Sequence, residues 1–162
     1  MTLSESEIKE LVARTESCLN DLHANHVLPD LQEVIVWLDK IIANVPPNAY
    51  YYQCRSLVKL ALCEGSVGVI SSFAIEALDD ICKAIDLDPD QALYYQNRGE
   101  VRLLLLKYRT NEADRTNEMA LAMRDFETAL SKDPTVSAVW LYLIMLNLLF
   151  DNWDEAISVY GQ

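Results

Sequence analysis

With 162 residues, of which 51% are hydrophobic, the chain is long enough for one compact domain and too apolar to be disordered. Its net charge of -12 excludes the cationic face that nucleic acid requires and disfavours an anionic membrane surface. Only four glycines and five prolines interrupt it, so long regular elements are expected.

The N-terminus has no basic patch followed by an apolar run, so no signal peptide is predicted. The apolar runs at 103–106 and 140–150 fall short of the roughly 20 residues that span a bilayer. The four cysteines (Cys18, Cys54, Cys63, Cys82) lack the paired short spacing of a zinc site and read as buried reduced thiols. These features point to a cytoplasmic, or alternatively nuclear, protein.

In chain order, Ser4 and Glu7 form a capping box with Leu3 and Ile8 as its hydrophobic staple. Ile8, Leu11, Val12, Cys18 and Leu22 then recur at helical spacing, predicting a first helix over about residues 5–25. Pro29 ends it, and Asp30 with Glu33 caps a second helix. The apolar face of that helix is Leu31, Val34, Ile35, Leu38, Ile41 and Ile42, and it stops before Pro46-Pro47.

The segments that follow repeat one another. Residues 49–62 read AYYYQCRSLVKLAL and residues 92–105 read ALYYQNRGEVRLLL. A third block, SAVWLYLIMLNLLF, begins at Ser137, and each block starts three residues after a proline (Pro46, Pro89, Pro134). The first two blocks are followed by a second helical stretch, ALDDICKAIDLDP at 77–89 and AMRDFETALSKDP at 122–134. The unit is helix, loop, helix, proline turn, and repetition of this kind stacks one supersecondary element on its copies.

This pattern resembles the tetratricopeptide repeat (TPR) family. The matching residues are the aromatics Tyr52, Tyr95 and Trp140, the close-approach Gly99, the small residues Ala77, Ala84, Ala122, Ala129 and Ala156, and the closing prolines. The resemblance implies an all-α fold, a right-handed α-α superhelix of about seven or eight helices forming a single domain over 1–162. Its parts are a degenerate first pair (1–46), two repeats (47–89 and 90–134) and a truncated repeat (135–162). Successive prolines lie 43 and 45 residues apart, where the repeat ordinarily has about 34. The excess falls near 63–73 and 108–120, to be absorbed by longer helices or ordered excursions.

Arg55 and Arg98 stand at equivalent places, as do Asp80 and Asp125 on the second helices. The third repeat has Leu143 and Val159 there, so charge is present or absent as a pair. An Arg55–Asp80 and an Arg98–Asp125 salt bridge inside each hairpin are expected.

The resemblance implies a binding surface on the concave face, lined by the first helix of each pair. Helical spacing places Tyr50, Gln53, Cys54 and Leu57 there, then Leu93, Gln96, Asn97 and Glu100, then Leu141, Tyr142 and Met145. The alternative is that the insertions fold over this face and make these residues core. One branch of the family binds acidic chaperone tails through a basic carboxylate clamp, and Asn97 matches one clamp position. The basic positions do not match, since Gln53, Leu57, Ala138 and Tyr142 occupy them. A basic or amphipathic peptide or helix suits the charge better, with Glu100 as a contact.

Catalysis finds no constellation. His23 and His26 lack a convincing third ligand, no phosphate loop or nucleophile elbow occurs, and the aspartates at 79–90 lack the alternation of a calcium loop. No enzyme activity, metal or cofactor is therefore predicted. The expected function is a protein-interaction adaptor within a larger complex. Its alternative is a structural subunit that assembles through the apolar stretch 140–160, whose large residues include Trp140, Leu148, Leu149, Phe150 and Trp153.

Overall fold

The computed structural model describes residues 3–23, 30–65 and 70–149. His26, Pro29, Phe150, Trp153, Ala156 and Val159, singled out above, lie outside the described residues, as does the side chain of His23. Seven helices and no strand occur among the described residues. They fall into two compact units, divided between Leu87 and Asp88 at the Pro89 turn.

The first unit holds α1 (Glu5–His23), α2 (Leu31–Asn44), α3 (Ala49–Gly65) and α4 (Ile70–Leu87). The Ser4 amide donates to Glu7 Oε2 at 2.8 Å and the Glu7 amide to Ser4 Oγ at 3.3 Å, the reciprocal bonds of a capping box. Asp30 caps α2 by accepting from the Gln32 amide at 2.9 Å. The α2 stripe Leu31, Val34 and Leu38 is buried against Cys54 and Val58 of α3 and Leu19 of α1. Fully burying side chains of this size contributes about 1.5–3 kcal/mol each.

The second unit holds α5 (Ala92–Leu106), α6 (Glu112–Lys132) and α7 (Ser137–Leu149). Ala122, Phe126 and Ala129 of α6 form its core with Val139, Leu143 and Leu146 of α7. Gly99 carries α5 across this core: a Cβ there would lie 2.5 Å from Phe126 Cε1, so the helices meet at a distance only glycine permits. The extra residues near 108–120 form no excursion. They lengthen α6 to 21 residues, and Asn111 caps it by accepting from the Ala113 amide at 2.8 Å.

Candidate partner-binding site

The charged residues inside the hairpins are structural. Arg55 donates to Asp80 through Nε at 2.9 Å and through a second nitrogen at 2.5 Å, and Arg98 reaches both oxygens of Asp125. Each aspartate takes a further cation that the sequence reading missed: Lys59 on Asp80 at 2.9 Å and Arg102 on Asp125 at 3.0 Å. These cations stand four residues after Arg55 and Arg98 in both blocks, so the signal was present in the repeat. Arg102 also bonds Glu118, which bonds Arg109, so a ladder of alternating charge runs along the α5–α6 hairpin. In the first unit Asp39 of α2 joins Arg55 as well. Burial works against the Arg55 charge, but the Asp80 and Asp39 carboxylates more than offset it and raise its pKa. Tyr52 and Tyr95 each face two cations, Arg55 with Lys83 and Arg98 with Lys132, at 5.3–5.8 Å. Much of the basic charge is thereby committed to packing.

The predicted lining residues divide between the units. In the first, Tyr50 is exposed, Leu57 is half-buried, and Gln53 and Cys54 are buried. Leu19 of α1 shares the core with Cys54, and Glu16 acts electrostatically on Tyr50, Tyr51 and Cys54, so α1 lies close to this face of α3. Burial raises the Tyr50 hydroxyl above its ordinary range and pushes the Cys54 thiol up to about 11.

In the second unit the same register is more open. Leu93 is 47% exposed, and Gln96 and Glu100 are half-buried, with Gln96 Nε2 donating to Glu100 Oε1 at 2.8 Å. Asn97 is buried, and its Nδ2 has no acceptor among the described residues. On α7, Leu141 and Met145 are exposed, while Tyr142 is half-buried and stacks on Phe126 with ring centroids 4.9 Å apart. Leu148, expected in the apolar C-terminal stretch and not in the lining, is exposed three residues after Met145. Chemically this surface offers apolar contact, one carboxylate and amide groups. Among the described residues no group of three His, Cys, Asp or Glu side chains is placed to hold a metal, and no helix is long and apolar enough to cross a membrane.

Solved structures share this architecture. The crystal structure of MamA superposes with a TM-score of 0.70 over 95% of this chain and 74% of its own, at 16% identity. The Arabidopsis OM64 TPR domain superposes with a TM-score of 0.63 over 86% of this chain and 96% of its own, at 19% identity. The chain has the tetratricopeptide-repeat fold. The human IFIT1 dimer with PPP-AAAA also matches, with a TM-score of 0.68 at 18% identity, over 80% of this chain and 28% of IFIT1. No family model matches this TPR-like chain, and no curated protein matches it in sequence.

Proposed function

We propose that this TPR-like protein is an interaction module, not an enzyme, that holds an apolar-faced, basic helix or peptide of a partner protein within a larger complex. The observation that carries the reading is the set of large apolar side chains left exposed on the first helices of the second unit: Leu93 on α5, and Leu141 and Met145 on α7. Exposed large apolar groups at helical spacing are what a helix-in-groove partner covers. Glu100 supplies the charge that selects a basic ligand, and the net charge of -12 favours its approach. Gln96 and Tyr142 extend this face with partial exposure, and Tyr50 and Leu57 stand in the equivalent helical register of the first unit. Gln53 and Asn97 contribute only where the surrounding side chains open, and the Asn97 Nδ2 donor then has a peptide carbonyl to bond. A ligand such as the PPP-AAAA of the IFIT1 dimer fits poorly, because Arg55, Lys59, Arg98 and Arg102 are occupied by carboxylates.

The test is an NMR titration with two model amphipathic helices, one of leucine and lysine and one of leucine and glutamate. The basic helix is expected to bind with micromolar affinity, about -8 kcal/mol, and to shift amides of α5 and α7. Leu93→Lys should weaken it at least about tenfold. Equal affinity for both helices, or shifts confined to α1 and α2, sinks the reading.

A further inference from the structure

The α7 helix carries a second pattern that goes beyond partner binding. Ala138, Leu141, Met145 and Leu148 are all exposed, and they follow one another at spacings of three, four and three residues. That is the seam of two coiled-coil heptads. It is distinct from the face that a first helix turns to the second helix of its own hairpin. On α5 that face carries Tyr95, Arg98, Gly99 and Arg102, which meet Lys132, Asp125, Phe126 and Glu118 of α6. By the repeat register its counterparts on α7 are Trp140, Leu143, Ile144 and Asn147, none of which is in the seam.

Two features identify what covers the seam. Residues 137–149 contain no Asp, Glu, Lys, Arg or His, so the stretch is uncharged at neutral pH in a chain whose net charge is -12. A second copy is repelled wherever it approaches a charged surface, and an uncharged helix is where that repulsion is least. The seam is also self-complementary. Its large residues read Leu, Met, Leu about Met145, so a two-fold axis at Met145 sets two α7 helices antiparallel, with Leu141 on the other copy's Leu148.

We propose that α7 is a homodimer seam, and that two copies pair antiparallel through Leu141, Met145 and Leu148. A 13-residue helix is about 20 Å long. Two such helices bury less than the roughly 1,200 Å² of a stable interface, so the pairing is weak, in the high-micromolar range. Pairing occupies Leu141 and Met145, so it competes with a helical ligand at the face proposed above and leaves Leu93 on α5 free of the seam.

Sedimentation equilibrium of the full chain, from low micromolar to near millimolar concentration, tests this. The expected result is a mass that rises towards twice 18.4 kDa and a Met145→Glu variant at least about tenfold weaker in association. A second measurement fixes the register in a Cys18→Ser, Cys82→Ser background. Met145→Cys should cross-link to itself on mild oxidation, while Leu141→Cys should cross-link to Leu148→Cys and not to itself. A monomer at every concentration, association indifferent to Met145→Glu, or Met145→Cys cross-linking no faster than Ser137→Cys overturns the proposal. Leu93→Lys separates the two readings, since it should weaken binding of the basic helix at least about tenfold and leave self-association unchanged. A chain that stays monomeric yet binds that helix loses the homodimer and keeps the binding face.

Discussion

Asp125 is the residue on which the second hairpin depends most, because one buried carboxylate answers two arginines. Its side chain is 5% exposed, and Arg98 and Arg102 both bond it. Replacing Asp125 with Val removes the Asp125 carboxylate from both Arg98 and Arg102, and Arg102 keeps Glu118. Breaking a buried pair in this way costs on the order of 3–5 kcal/mol. Arg98→Leu leaves Asp125 still held by Arg102, so it should cost clearly less. Urea denaturation of the two variants checks the order, and equal losses would mean that Arg102 does not share the charge. The pairing of arginine with aspartate was legible in the sequence because both members recur together. The second cation was legible in principle at i+4, whereas Asp39 reaches Arg55 from α2, for which the repeat has no register. The cysteines differ in the same local way. Cys54 and Cys63 are buried and Cys18 and Cys82 partly exposed, so at pH 8 thiol reagents should modify Cys18 and Cys82 first. Burial pushes Cys54 to about 11, above the unfolded value of about 8.5. Its contribution is therefore complete below that lower value, and stability falls as pH rises through the folded pKa. A Cys54→Ala variant should show a flatter decline in melting temperature across that alkaline window.

At the scale of the element, the two hairpins solve one packing problem in two ways. Gly99 lies under the Phe126 ring, while the equivalent pair in the first hairpin is Ser56 and Ile81, with Ser56 Oγ donating to the Ala77 carbonyl at 2.8 Å. The larger residue on the second helix requires the smaller one on the first. Installing the serine alone, as Gly99→Ser, should destabilise by about 1–3 kcal/mol through overpacking, despite serine's better helix propensity. Gly99→Ser with Phe126→Ile transplants the first hairpin's solution. It should recover part of that loss, though not all, because Phe126 also stacks on Tyr142. A double-mutant cycle with a coupling of at least about 0.5 kcal/mol is expected, and strict additivity would separate the two sites energetically. The register of this contact was readable from the aligned blocks, since Gly99 and Phe126 fall at fixed offsets from the flanking prolines. The fate of the long insertion was not readable. Residues 112–117 are helix-compatible but all exposed, so no apolar periodicity announces that α6 begins there.

For the whole molecule, the repeat was legible because proline spacing and aromatic positions recur, whereas the lining of a binding face was legible only as a register. Helical spacing puts Gln53, Cys54 and Asn97 on the same face as Tyr50 and Leu93, yet burial depends on which neighbouring helix covers each, and that is a tertiary fact. α1 shows the consequence. It is polar over most of its surface, and among its described side chains only Thr15 and Leu19 are buried. The α3–α4 and α5–α6 hairpins, by contrast, each hold a buried ion network and several fully buried side chains. In a repeat protein stability is a sum of local terms and nearest-neighbour contacts, so opening follows local burial and need not be global. Hydrogen exchange should therefore be slowest in the buried turns of α3, α4, α5 and α6 and fastest in α1. Removing the α1 anchor with Leu19→Ala should speed exchange in α1 and expose Cys54 to thiol reagents, while α5 and α6 stay as protected as before. If Leu19→Ala instead accelerated α1 and α6 alike, the chain would open as one cooperative body, and the local account of its stability would be wrong.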